Sequence, residues 1–226
     1  MEIGSSNQNT GVVLETTPSG TDTGFSLDLG NPDAAKLEKV MGGPPVIPPG
    51  LALDAGAMPV TGTNDTETLT GSDAPRERFF TGEGDDTAYG MGGYDIMFGQ
   101  GGNDLIFGNQ GDDFIDGGVG NDTLFGGQGD DEVSGGEGDD VLFGDRGDDI
   151  LTGGAGDDVI IGGEGNDTAV FEGPIEAYMI SVNDEGDVVV IGNDGTDTLT
   201  GVENFEFGGE VFTVDQLRER GTFQTF

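Results

Sequence analysis

Between residues 81 and 170 an apolar side chain returns every nine residues: Ala88, Met97, Ile106, Ile115, Leu124, Val133, Leu142, Leu151, Ile160 and Ala169. Each stands at the centre of a triplet x-U-x. Such a triplet predicts a short strand with its middle side chain turned inward and its neighbours turned outward. The six residues between successive triplets are rich in glycine and end in a carboxylate. The aspartates are Asp86, Asp95, Asp104, Asp113, Asp122, Asp131, Asp140, Asp149, Asp158 and Asp167. Two residues before them stand Gly84, Gly93, Gly102, Gly111, Gly120, Gly129, Gly138, Gly147, Gly156 and Gly165. Neither column has a break, so the segment is a tandem nonapeptide repeat. Glycine suits the six-residue half because the backbone must curl tightly and aim its carbonyls at one point.

The flanks read differently. Residues 1–61 are rich in Gly, Ser, Thr and Pro and are expected to be a largely disordered leader. One short helix is expected over 32–41, capped by Asn31, opened by Pro32 and ended by Gly42. Pro44–Pro49 then reads as extended polyproline. Residues 62–80 look like two degenerate repeats forming an N-terminal cap. Glu67 takes the aspartate position in the first of them and Leu69 the inward one; the second places Arg76 at the aspartate position, with one extra residue before Thr81.

After Val170 the period stops. Residues 177–183 and 187–191 read as a hairpin around Asp184-Glu-Gly186. Further strands follow up to Val214. This segment is expected to cap the last coil with Phe205, Phe207 and Phe212 and to cover the open sheet edges. Asn193, Asp194 and Asp197 either hold one more ion or are turn-forming polar residues.

Charge narrows the function. The formal net charge is −38, and residues 81–170 carry 22 Asp and Glu against one base, Arg146. Acids in phase with glycine and apolar residues are not the random acidity of a solvated tail. The charge argues against nucleic acid and against unaided binding to anionic lipid. There is no cysteine, hence no disulfide. There is no histidine, which removes Ser-His-Asp, Cys-His and HExxH chemistry, so a non-catalytic protein is expected. No apolar run is long enough for a transmembrane helix, and MEIGSSNQNT has neither the basic nor the apolar region of a Sec signal peptide.

Frames such as Gly126–Ser134 and Gly153–Ile161 spell G-G-x-G-x-D-x-U-x. Over these ninety residues the chain resembles the RTX family of secreted bacterial calcium-binding proteins. The resemblance implies an all-β fold: a right-handed parallel β-roll with two nonapeptides per coil, so that turns stack n on n+2. A hard cation such as Ca²⁺ takes six to eight oxygens, more than one turn supplies. In the family each ion sits between stacked turns and takes carbonyl oxygens and the sixth-position aspartate from both. Applied here, the rule gives two columns, Asp86–Asp104–Asp122–Asp140–Asp158 and Asp95–Asp113–Asp131–Asp149–Asp167. Their glycine carbonyls complete the shells, and four gaps per column give about eight ions. Fifth-position acids (Asp85, Asp112, Asp130, Asp139, Asp148, Asp157) are expected in the outer shell or facing solvent. Thr81 at a first position, and Met91, Gln100, Asn109 and Asp145 at second positions, depart from the motif and put the turn geometry there in question.

The resemblance further implies secretion by a type I exporter, with a C-terminal signal that falls on residues 215–226, and folding of the roll on meeting extracellular calcium. One sheet carries Tyr89, Phe107, Phe125, Phe143 and Ile161 at its ninth positions. This outward ladder is either covered by the chain's own flanks or is a face for a cell-surface or self-association partner. An adhesion or surface-layer module and a haemolysin-like membrane-active effector are the alternatives to a plain secreted calcium-binding protein.

Overall fold

Alternation of inward and outward side chains, interrupted every nine residues by a glycine turn, builds a stack of short strands. The computed structural model describes residues 59–220, so the expected helix at 32–41 and the polyproline stretch lie outside the described residues. The strands in chain order are β1 (Val60–Thr61), β2 (Thr68–Thr70), β3 (Arg78–Glu83), β4 (Thr87–Gly92), β5 (Ile96–Gly101), β6 (Leu105–Gln110), β7 (Phe114–Val119), β8 (Thr123–Gln128) and β9 (Glu132–Glu137). They continue as β10 (Val141–Arg146), β11 (Ile150–Ala155), β12 (Val159–Glu164), β13 (Thr168–Phe171), β14 (Met179–Val182), β15 (Val188–Ile191), β16 (Thr196–Thr200), β17 (Asn204–Phe207) and β18 (Glu210–Thr213). A helix, α1 (Val214–Arg220), follows.

Successive strands alternate between two sheets. One runs β1-β3-β5-β7-β9-β11-β13-β17-β18, the other β14-β15-β16-β12-β10-β8-β6-β4-β2. Within the repeat all pairs are parallel, and the register joins residues eighteen apart, as in Leu105↔Thr123 and Thr123↔Val141. Two nonapeptides therefore make one coil and turns stack n on n+2. The fold is an all-β parallel solenoid of about six turns.

The eighth positions form the core. Ala88, Met97, Ile106, Ile115, Leu124, Val133, Leu142, Leu151, Ile160 and Ala169 are all fully buried between the sheets. Every one was legible as inward, because the period of two inside x-U-x leaves no other choice.

The second-position departures do not alter the turns. Glycines at this position take positive φ, and Met91, Gln100, Asn109 and Asp145 do the same, with φ of 82°, 73°, 79° and 72°. For residues with a Cβ this costs roughly 1–2 kcal/mol each. The stacking of the neighbouring coils dictates the turn and the local residue bears the strain.

The C-terminal segment caps the stack as expected. β14 and β15 form the antiparallel hairpin. β17 adds parallel to β13, and β18 folds back antiparallel on β17. Phe205, Phe207 and Phe212 are buried, with Phe171 stacked on Phe207 at 4.9 Å. Leu217 of α1 is also buried, and Arg220 lies over the Phe212 ring, 4.6 Å from its centroid.

Candidate metal centre

Each turn ends at its sixth-position aspartate, where the chain passes from one sheet to the other. Asp86, Asp104, Asp122, Asp140 and Asp158 line the edge leading into the β4-containing sheet; Asp95, Asp113, Asp131, Asp149 and Asp167 line the opposite edge. All ten are buried, none more than 2 % exposed. Burial of ten carboxylates in two files demands compensation.

Half of that compensation comes from the backbone. Oδ1 of each aspartate accepts the main-chain N–H of the residue one coil earlier, as for Asp104 N–H to Asp122 Oδ1 at 2.7 Å, Asp113 to Asp131 at 2.7 Å and Asp131 to Asp149 at 2.8 Å. The other oxygen is bare. Oδ2 of Asp86, Asp95, Asp113, Asp122, Asp131, Asp140, Asp149, Asp158 and Asp167 is buried without a hydrogen-bond partner. Asp104 is the exception, because the hydroxyl of Thr81, the first-position departure, lies 3.4 Å from its Oδ2 and donates to the Gly99 carbonyl at 2.5 Å.

The space beside these oxygens is kept clear by glycine. A Cβ built on Gly108, a first-position residue, would come within 2.5 Å of both Asp113 Oδ2 and the Gly126 carbonyl oxygen of the next coil. The same pairing of a carboxylate oxygen with a carbonyl of the next coil recurs at Gly90, Gly99, Gly117, Gly126, Gly135 and Gly144. At the fourth positions, Gly93 to Gly165 all have positive φ. A Cβ on any of Gly102 to Gly165 would collide with the fourth-position carbonyl of the preceding coil. Among the described residues no backbone N–H donates to the carbonyls of Gly84, Gly93, Gly102, Gly111, Gly120, Gly129, Gly138, Gly147, Gly156 and Gly165. Each gap between stacked turns thus holds bare oxygens of both kinds. Among the described residues no three acidic side chains converge on one point. The carboxylates stand one per turn, and a hard cation there would draw its remaining oxygens from carbonyls. The residues fit a calcium ion.

Electrostatics agree. Burial, the largest cause, pushes the carboxyls well above the ordinary range: to about 6 for Asp95, Asp122 and Asp149, about 7 for Asp104, Asp113 and Asp140, and about 8 for Asp131. Neighbouring carboxylates of the same column add to the rise, as Asp122 and Asp86 do for Asp104. In the ion-free roll these groups hold protons more tightly than in the unfolded chain. The resulting stability is fully present below the unfolded value near 4 and is lost as pH rises through the folded values of about 6 to 8. In chelator, the chain is therefore expected to show more β structure by circular dichroism at about pH 5 than at about pH 8. A β signal that is equal at the two pH values, or larger at the higher one, would contradict this.

The fifth positions have a different task. Asp139 Oδ1 accepts the N–H of Asp157 at 2.9 Å, Asp130 that of Asp148 at 2.9 Å, and Asn121 that of Asp139 at 3.1 Å. These side chains are exposed and tie each coil to the next, a job asparagine and aspartate do equally.

The N-terminal cap needs one correction. Glu67 occupies the aspartate position as expected, its N–H donating to Asp86 Oδ1 at 2.7 Å. In the next turn it is Glu77, not Arg76, whose N–H meets Asp95 Oδ1, at 2.8 Å. The extra residue lies inside the turn, between Gly71 and Glu77. Both glutamates fold back on their own turns: Glu67 Oε2 accepts Thr63 N–H and Glu77 Oε2 accepts Ser72 N–H, each at 2.6 Å.

At the other end the columns run further than the ten frames. Asp158 N–H donates to Asp197 Oδ1 at 3.2 Å, and Asp167 N–H to Glu203 Oε2 at 2.9 Å. Asp197 is buried, its carboxyl raised to about 7 first by burial and then by Asp158 and Asp194. The signal was present in the chain: Gly192-Asn-Asp-Gly-Thr-Asp-Thr-Leu-Thr200 is a nonapeptide frame, out of phase with the other ten.

The ninth-position ladder is real. Tyr89, Phe107, Phe125 and Phe143 stack at 5.0, 4.8 and 4.5 Å, half-buried on the outer face. Ser in place of Phe107, Phe125 and Phe143 is expected to leave the calcium stoichiometry unchanged while raising the calcium midpoint modestly, since stacked pairs add about 0.5–1.5 kcal/mol each. Loss of ion binding in a calorimetric titration would place the rings in the core instead.

A model of the RTX calcium-binding nonapeptide repeat, which spans four copies, matches residues 80–115, 98–133, 107–142, 134–169 and 184–202. No curated protein matches the chain.

Proposed function

Over residues 80–202 the chain belongs to the RTX calcium-binding repeat family, and from that premise we propose that it is a non-catalytic secreted protein whose roll folds around calcium after type I export. The observation that carries this reading is the file of unpartnered Oδ2 atoms along each edge. Calcium in the gaps would be held by the sixth-position aspartates of both columns, Asp86 to Asp167, and by the carbonyls of Gly84 to Gly165. Four gaps per column correspond to about eight ions, which would neutralise sixteen of the 22 acidic charges in residues 81–170. The ion supplies positive charge and joins the coils; the chain supplies oxygens already directed at one another and glycines that let the coils approach.

Where calcium is scarce, the raised carboxyls and bare oxygens hold the chain open, a state suited to threading through an exporter. Millimolar calcium outside the cell matches the weak affinities of extracellular modules. The proposed domain plan is a leader (1–61), an N-terminal cap (62–80), the roll (81–170) and a C-terminal cap with the export signal (171–226). Among the described residues no helix is long and apolar enough to cross a membrane.

A second reading, an adhesion or surface-layer module, is favoured by the half-buried aromatic ladder, whose outer edge offers a flat apolar strip. Calcium-dependent self-association would support it, and calcium-dependent leakage of liposomes would support a membrane-active effector instead. The export claim is tested in producing cells. Deleting residues 215–226 is expected to abolish appearance of the chain in the medium and to leave it inside the cell. Undiminished export of the truncated chain would overturn it.

A further inference from the structure

The sheet that carries the aromatic ladder continues past the roll in both directions, over nine strands from β2 to β14. Its register sets the outward residues in two rows. One passes from Thr68 through Leu105 and Val141 to Thr198, and the other from Thr70 through the ladder to Thr200. The hairpin prolongs both rows with Val189, Ile191, Met179 and Ser181. None of the outward residues in these rows is charged, in a chain with 45 acids among 226 residues. The other sheet lacks this property. The same rows there hold Arg78, Asp116, Glu132 and Glu206. On the ladder side charge begins at the rim, where β10 and β12 end in Asp145, Arg146 and Glu164.

Within the ladder the rings from Tyr89 to Phe143 lie nearly parallel, with interplanar angles of 3°, 9° and 3°. Rings stacked in this way cover one another's faces and turn their edges outward. They leave no free face for a sugar ring to lie on. An acidic partner or an anionic lipid meets the net charge of −38. A basic partner is drawn to the acidic edges of the roll rather than to this strip. The strip suits an uncharged apolar surface of the same shape, and the chain carries one. Two copies meeting here do not set acid against acid. Eight strand spacings of about 4.8 Å make the face roughly 38 Å long, and its two rows make it roughly 10 Å wide. That is about 400 Å² per copy, the size of patch that marks a contact and about half of what each partner of a stable interface buries.

We propose that this face pairs with the same face of a second copy of the chain, sheet on sheet, in a weak and reversible two-fold dimer. The pairing rests on the second reading of the ladder, as a contact face, and names its partner. Calcium serves it twice. Folding of the roll brings together rows whose residues are eighteen apart in sequence, and bound ions lower the charge that drives two copies apart.

Sedimentation velocity of the full chain in millimolar calcium, over a concentration series, is expected to show a monomer–dimer equilibrium. Val159→Glu sets a charge in the strip at a residue 40 % exposed, without touching a ring. Glu132 stands at the same repeat position in the other sheet, so the turn accepts a glutamate there. The matched control is Ile150→Glu, at the same repeat position on the outer face of the other sheet and 45 % exposed. Val159→Glu is expected to weaken the dimer about tenfold or more, because like charges then face each other, while Ile150→Glu dimerises as the wild type does. Circular dichroism of the same samples shows that each chain has folded. A folded wild type that stays monomeric at every concentration would overturn the pairing and leave the calcium reading standing. Equal dimerisation of the two variants would overturn it as well. A monomeric wild type that binds phosphatidylcholine vesicles, and is released by Val159→Glu, would give the face to a lipid surface and overturn it too. Dimerisation that Val159→Glu weakens but that is equally strong in chelator and in calcium would uphold the pairing and overturn the calcium reading instead.

Discussion

In excess chelator at neutral pH the chain is expected to be expanded and coil-like, and millimolar calcium is expected to turn it cooperatively into the β-roll. The reason lies in the two files of aspartates. Nine buried Oδ2 atoms have no partner. An unsatisfied buried polar oxygen costs roughly 1–3 kcal/mol, and more when charged. The ten inward side chains include Ala88 and Ala169, too small to offset such a cost, and the glycine turns lose more backbone entropy on ordering than other residues. Calcium satisfies the bare oxygens, cancels the repulsion within each column and joins neighbouring coils, so metal binding becomes folding free energy. Magnesium is expected to substitute poorly, since it demands a smaller octahedral shell and sheds water reluctantly. Circular dichroism and small-angle scattering during a titration decide the matter. A compact, protease-resistant chain in chelator would refute it.

The second large effect concerns the middle of a column. Asp122 faces Asp104 on one side through the N–H bond it accepts, and its own N–H reaches Asp140 on the other, at 2.8 Å. It borders two gaps. Asp122→Ala is expected to remove about two ions and to split the cooperative transition, because in a solenoid each coil is stabilised by its neighbours. Asp139→Asn is the control. Asp139 lies at an exposed fifth position where its Oδ1 only accepts the Asp157 N–H, and Asn121 performs the same task one coil earlier. Little change in stoichiometry is expected there. Equal losses for the two variants in isothermal titration would mean that the ligands are not shared between stacked turns.

Much of this was legible because a nine-residue period constrains everything inside it. Leu124 had to face inward once its neighbours alternated, and Asp122 had to fall at the turn. The n-on-n+2 stacking came from family resemblance, and the register of eighteen bears it out. What was not legible lay where the period breaks. One extra residue in the second degenerate repeat put Arg76 at the aspartate position in the sequence, and the backbone bond from Glu77 to Asp95 gives that position to Glu77 instead. The frame at 192–200 stands in the sequence out of phase with the other ten, and what the sequence does not show is which coil the chain rejoins after the inserted hairpin. The second positions were misleading in the other direction. Met91 and Gln100 look incompatible with a glycine turn, yet they adopt its positive φ because the coils on either side leave no alternative.

The central claim is that calcium lies between stacked turns, held by shared aspartates and glycine carbonyls. Anomalous diffraction from crystals grown with calcium, or with a lanthanide in its place, tests it most directly. The account predicts two rows of peaks, one along each edge of the roll, with successive peaks one coil apart, about 4.8 Å, and each peak beside a sixth-position Oδ2. Peaks confined to the outer carboxylates of Asp85, Asp112, Asp130, Asp139, Asp148 and Asp157, or no peaks along the edges of a folded roll, would contradict it.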